Sequence, residues 1–224
     1  MAYVQTRQVS VGELFSGTFD VLRLAKREVA IYCGVFLIVG LIADFVEALR
    51  PLISVVAYFG YFAAQYWLYR KVLELSGIPY DPSFKFFSMF FLAHLLGIIL
   101  MFGWNLFLIP GILLGAKWIM APTILVAEDR NLFQAMGDSW NASSNNLVAL
   151  SIAYAVLAVG WMLFYAFIVG MVAGLTGIAA GGGGNLSAIG WVGFHLLPIV
   201  LMGLSVTAYR ALGDQDNSLV AVFE

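Results

Sequence analysis

One lysine, Lys117, stands inside the apolar run LIPGILLGAKWIMAPTILVAEDR (108–130), between Pro110 and Pro122. An ammonium at the centre of a membrane helix costs roughly 2.5–3.5 kcal/mol, so it needs a partner, water or a short path to the headgroups. Asp44, Asn105 and His195 are polar residues in other apolar runs. Counted at 1.5 Å per residue from the outer span ends, Lys117 lies about 9–11 Å deep and Asp44 about 7–8 Å. The matching depths make Asp44 the expected counter-ion of Lys117. With His195 and Asn105 they form an expected polar cluster in the outer half of the bundle, able to hold water, a lipid headgroup or only itself. A long lysine stem can equally snorkel outward alone, and a lone histidine such as His195 more often joins two helices by a hydrogen bond.

No catalytic residues are expected. The chain has no HExxH, no GxSxG and no convincing acid and base pair of carboxylates. His94 falls in the inner half of its run, at a different depth from His195, so the two offer no zinc set. Cys33 is the one cysteine, which excludes an intrachain disulfide and a cysteine-rich metal site. Neither a metal nor any other cofactor is expected, and a net charge of -2 gives no reason to expect nucleic acid.

The elements that must position these residues follow from composition. Of 224 residues, 62% are hydrophobic and only 11% charged, with a mean hydropathy of +0.93. A water-soluble fold has no way to cover that much apolar surface, so the expected class is an all-α, polytopic membrane bundle. Continuous apolar runs favour helices over a barrel, because backbone groups in lipid must be satisfied within the segment. Six spans are expected near 29–49, 52–69, 86–109, 111–127, 147–175 and 189–212. Pro51 and Ile109-Pro110-Gly111 mark tight turns between neighbours. Nearly all basic residues outside the spans fall on one side, which predicts cytoplasmic termini. No cleavable signal peptide is expected.

Two segments outside the spans, 10–27 and 131–146, read as in-plane interfacial helices or as amphipathic helices packed on the bundle's inner end. Ser10 and Glu13 have capping-box spacing, and Val9 with Leu14 can form a hydrophobic staple. Laying Leu14-Phe15 on Leu132-Phe133 and Asp20 on Asp138 suggests a parallel internal repeat, each copy an interfacial helix plus a hairpin. Gly111 with Gly115, and Gly170 with Gly174, have helix-packing spacing.

The stretch 109–147 also carries a pattern. A Pro-Gly (Pro110, Gly111) opens a span, Lys117 precedes Trp118, Pro122 interrupts, Glu128 closes, and a short helix follows with Ala135 and Ser139. This resembles the membrane domain attached to some glycerophosphoryl diester phosphodiesterases, and related stand-alone bacterial membrane proteins. The N-terminal SVGELFSGTF is similar to that family's opening. The family's phosphodiesterase activity belongs to a separate soluble barrel that this sequence does not contain. The resemblance therefore implies a bacterial inner-membrane module in which Lys117, Trp118 and Glu128 are a structural signature. The expected function is non-enzymatic: a lipid-interacting or partner-binding accessory module, with membrane lipids and a protein partner or second copy as partners. The alternative is a small transporter or channel using the outer polar cluster.

Overall fold

The structure, a computed structural model, describes residues 8–46, 50–106, 108–176 and 187–220. Those residues are helical, joined by turns and short loops. The helices are α1 (Val11–Leu24), α2 (Lys26–Phe45), α3 (Arg50–Leu75), α4 (Phe86–Leu106), α5 (Leu108–Lys117), α6 (Ala121–Ala127), α7 (Leu132–Ala142), α8 (Leu147–Thr176) and α9 (Ser187–Val220). Among the described residues, three stretches are long and apolar enough to cross a membrane: Ile109–Ala127, Ser144–Met171 and His195–Gly213.

Local chemistry sets the helix ends. Ser10 Oγ accepts from Glu13 N at 3.2 Å while Glu13 Oε2 accepts from Ser10 N at 2.8 Å, so the expected capping box starts α1. Asn131 and Gln134 repeat the device at α7, with both bonds at 3.0 Å. After α3, Gly77 adopts φ 68°, a left-handed conformation that glycine enters without a Cβ penalty. It lets Ile78 N reach Leu73 O at 3.0 Å and Gly77 N reach Glu74 O at 3.1 Å, the paired bonds of a Schellman end. Pro110 lies within α5 rather than in the expected turn. The expected fourth span is broken: α5 stops at Lys117 and α6 begins at Ala121.

The two capping boxes are 121 residues apart, and so are the starts of α2 and α8 that follow them. In that register Leu14 corresponds to Ala135 and Thr18 to Ser139, and all four are buried. The expected overlay, Leu14 on Leu132, is three residues out of this register, because matching Leu-Phe pairs ignores the caps that fix where each helix begins.

Helix α1 packs on α9, α8 and α3, and α2 packs on α9 and α3. Gly17 meets Thr207, Gly203 meets Thr18 and Leu22, and Phe36 meets His195, so α1 and α2 in succession run antiparallel to α9. Glycine permits this approach. A Cβ on Gly17 would lie 2.4 Å from Thr207 Cγ2, and one on Gly203 would lie 3.1 Å from the backbone oxygen of Thr18. A Cβ on Gly115 of α5 would likewise lie 2.4 Å from the Tyr154 ring of α8, whereas one on Gly170 would meet nothing within 4 Å among the described residues.

Burial is uneven along the helices. Leu68, Leu73, Leu125, Leu204 and Val206 are sealed at the end that carries α1, α6 and α7. Toward the other end Ile31, Val35, Ile38 and Ile42 of α2 and Leu163 and Phe167 of α8 are exposed. Of an 18-residue apolar stretch within Ser144–Met171 only 28% is buried within the protein, so much of α8 faces outward.

Gly203→Ala is expected to destabilise the protein by about 1–3 kcal/mol, the usual cost of overpacking, because a backbone oxygen stands in the way. Gly160→Ala, at a helical site with nothing within 4 Å, is expected to be neutral or stabilising. Thermal unfolding of both variants in one detergent checks the contrast.

Candidate functional site

Pro122 explains the break in the fourth apolar run. It has no N–H to give Trp118 O, its partner four residues back. Ala121 N turns to that oxygen instead, at 3.1 Å, an i to i−3 bond. The carbonyl of Lys117 thereby loses the donor a continuous helix would have supplied. An orphan carbonyl buried away from water costs about 1–3 kcal/mol.

Helix α7 supplies the replacement. It doubles back along α6 and presents Ser139 Oγ to Lys117 O at 2.8 Å. Ser143 Oγ shares its one proton between Trp140 O at 3.0 Å and Lys117 O at 3.3 Å. Both serines are fully buried.

The debt runs the other way too, because α7 ends at Ala142 and leaves Trp140 O without a helical partner. Lys117 Nζ donates to Trp140 O at 3.2 Å and to Ser144 Oγ at 2.7 Å, and lies 4.8 Å from the Trp140 ring centroid. Ser144 Oγ in turn donates to Trp140 O at 2.8 Å. The ammonium thus meets two oxygens and a ring face, at the negative end of a helix dipole. Trp118 packs on Trp140 with centroids 5.5 Å apart. Lys117, 9% exposed, is held by a reciprocal clasp between two helix ends.

Of the expected outer cluster, the described side chains are those of Lys117 and His195. The side chains of Asp44 and Asn105 lie outside the described residues. His195 of α9 sits in an aromatic cage, 4.4 Å from Phe36, 4.5 Å from Tyr61 and 6.3 Å from Tyr32 between centroids. Its ring neighbours named here come from α2 and α3, and the bonds of Lys117 go to α7 and the turn after it. His94 of α4 bonds the Tyr58 hydroxyl and lies tilted against the rings of Phe62 and Phe90. Tyr61 and Phe62, adjacent on α3, stand between the two histidines. Among the described residues no group of three His, Cys, Asp or Glu could hold a metal.

A third polar assembly closes the packed end. Glu128 Oε1 accepts from Tyr209 OH of α9 at 3.0 Å, and its carbonyl oxygen accepts from Lys85 Nζ at 2.5 Å. Arg130 Nε lies 3.5 Å from Glu128 Oε2 and 3.0 Å from Asp138 Oδ2. The loop before α4 joins in. Lys85 Nζ pairs with Asp81 at 2.6 Å, and Asp81 N donates to Ala127 O at 3.1 Å, which caps α6. The Lys85 ammonium, then the N–H and hydroxyl of Ser83, pull the Asp81 carboxyl down from its ordinary value of 3.8 to about 2.

Of the residues expected as a signature, Trp118, Pro122, Glu128 and Ser139 take part in these contacts. Pro122 breaks the run, Trp118 packs beside the clasp, Ser139 satisfies Lys117 O, and Glu128 ties the end of α6 to α9. Gly111 is buried and Pro110 exposed. Sequence reasoning missed Ser143, Ser144 and Tyr209. The signal for the serines was present, since a proline in a buried helix predicts an orphan carbonyl and SWNASS is a dense source of hydroxyl donors.

These arrangements tie helices together, and with the three long apolar stretches they support a membrane-embedded, all-helical protein. Compared with family models, with curated proteins and with solved structures, the chain finds no match in any of the three.

Ser139→Ala is expected to cost about 1–3 kcal/mol in an otherwise native chain. In a Pro122→Ala background, the backbone N–H restored at that position can bond Trp118 O and free Ala121 N for Lys117 O, so the same change should cost clearly less. A double-mutant cycle read by chemical unfolding in detergent measures that coupling, and strict additivity would contradict the clasp. A second expectation concerns acid. The Asp81 contribution is complete above the ordinary carboxylate value and lost as pH falls through about 2. Protection of the Ser83 and Lys85 amides, taken relative to their intrinsic exchange at each pH, should fall between about pH 4 and pH 2, and Asp81→Asn should flatten that dependence.

Proposed function

We propose that this chain is a non-enzymatic, lipid-interacting accessory module of a bacterial inner membrane, crossing it six times with both termini in the cytoplasm. One observation carries the lipid reading. At the α1–α2 elbow, Phe19 (58% exposed) and Leu24 (56% exposed) stand beside exposed Arg23, Lys26 and Arg27. Apolar side chains flanked by cations are what the surface of an anionic leaflet attracts, at about 1 kcal/mol per basic residue near the surface. Among the described residues, none of these three cations has an ion-pair partner.

The outward-facing apolar surfaces of α2 and α8 support a bilayer around the end away from α1, and the 121-residue register supports the internal repeat. The transporter alternative drew on a polar cluster around Lys117. That ammonium is engaged in holding α7, so the lipid reading is favoured. A protein partner or a second copy fits the same module.

The protein is expected to unfold at a higher temperature in nanodiscs containing anionic phospholipid than in purely zwitterionic ones. Replacing Arg23, Lys26 and Arg27 together by Gln should shrink that difference. An identical Tm in both lipids for the native chain would overturn the reading.

A further inference from the structure

A cavity of about 530 Å³ opens between the C-terminal half of α3, the loop after it and the start of α4. Its walls are aromatic. Tyr66 and Trp67 come from α3, Tyr80 and Phe84 from the loop. Trp67 is 39% exposed and Phe84 71% exposed, so the apolar side is open to the surroundings. At the other end stand Arg70 and Lys71.

Arg70 is held by rings rather than by a carboxylate. Its guanidinium carbon lies 4.8 Å from the Tyr80 centroid and 5.8 Å from that of Tyr66, and among the described residues it has no acidic partner. A guanidinium positioned on ring faces keeps its N–H donors along its edge, where they can meet the oxygens of a phosphate. Lys71 bonds Glu74 at 2.7 Å with both side chains well exposed, which leaves the cavity one net positive charge.

The loop wall is fixed from behind. Tyr66 OH donates to Ser83 O at 3.2 Å and accepts from Lys85 N at 3.0 Å. The cavity therefore has a cation at one end, a rigid aromatic floor, and an apolar mouth near the end of an expected span, the boundary where a phospholipid changes from headgroup to chain.

We infer that this cavity binds one anionic phospholipid, its phosphate on Arg70 and its upper acyl segment against Trp67 and Phe84. The inference rests on the lipid-interacting reading and names a site for it separate from the α1–α2 elbow. A peptide with an acidic end would find the same cation but has no reason to prefer an apolar mouth beside the span.

The test uses the full chain in detergent with mixed phosphatidylglycerol and phosphatidylcholine, read by native mass spectrometry. The native protein should retain phosphatidylglycerol preferentially. Arg70→Gln with Lys71→Gln should retain it about tenfold less, the size of one charge-assisted contact. If the native chain retains neither lipid preferentially, the lipid reading fails and this site with it. Preferential retention that survives the double substitution overturns the site alone. A second measurement leaves the cations untouched. The emission that Trp67→Phe removes should be quenched more by brominated phosphatidylglycerol than by brominated phosphatidylcholine in the native protein, and equal quenching also overturns the site.

Discussion

A proline's missing N–H organises the middle of this molecule. Pro122 has nothing to give Trp118 O, Ala121 N retreats to it, and Lys117 O is left without a helical donor. The oxygen is buried, so the chain must bring hydroxyls to it, and Ser139 and Ser143 come on a separate helix. That requirement positions α7 along α6 and sets where α8 begins. The ammonium of Lys117 completes the exchange by capping the helix that caps its own carbonyl. Neither helix end is satisfied alone, which makes α5, α6 and α7 one unit despite two breaks in regular structure.

Much of the fold was legible because membrane helices announce themselves by composition. The α8 boundaries follow the apolar run almost to the residue, and the Ser10 box marks the start of α1 as expected. The lysine environment was legible only in part. Depth counting assumes an unbroken helix leading straight across the bilayer, and a helix returning beside its own predecessor escapes it. The polar segment 131–146 reads equally as an interfacial helix and as one packed on the bundle's inner end, and the burial of Ser139 and Ser143 is not marked by its composition. Polar composition alone does not distinguish a residue facing water from one facing an orphan carbonyl.

The histidines teach a similar lesson from the apolar side. His195 and His94 are each packed in aromatic rings, with Tyr61 and Phe62 of one α3 turn between them. Ring contacts thus link His94 of α4 and His195 of α9 to adjacent residues of α3 with few polar demands. Pattern reading gives each histidine a depth along its own helix, but the packing of aromatic faces across helices has no signature in spacing.

The Gly17–Thr207 contact has a consequence for biosynthesis. The clasp joins residues fewer than thirty apart, so it can close soon after α7 leaves the ribosome. The face of α1 carrying Leu14, Thr18 and Val21 waits for a helix some 190 residues downstream. At typical elongation rates that interval is about 10–40 s. During it α3, and later α8, are the native partners of α1 already made, so those seams can form long before the one with α9.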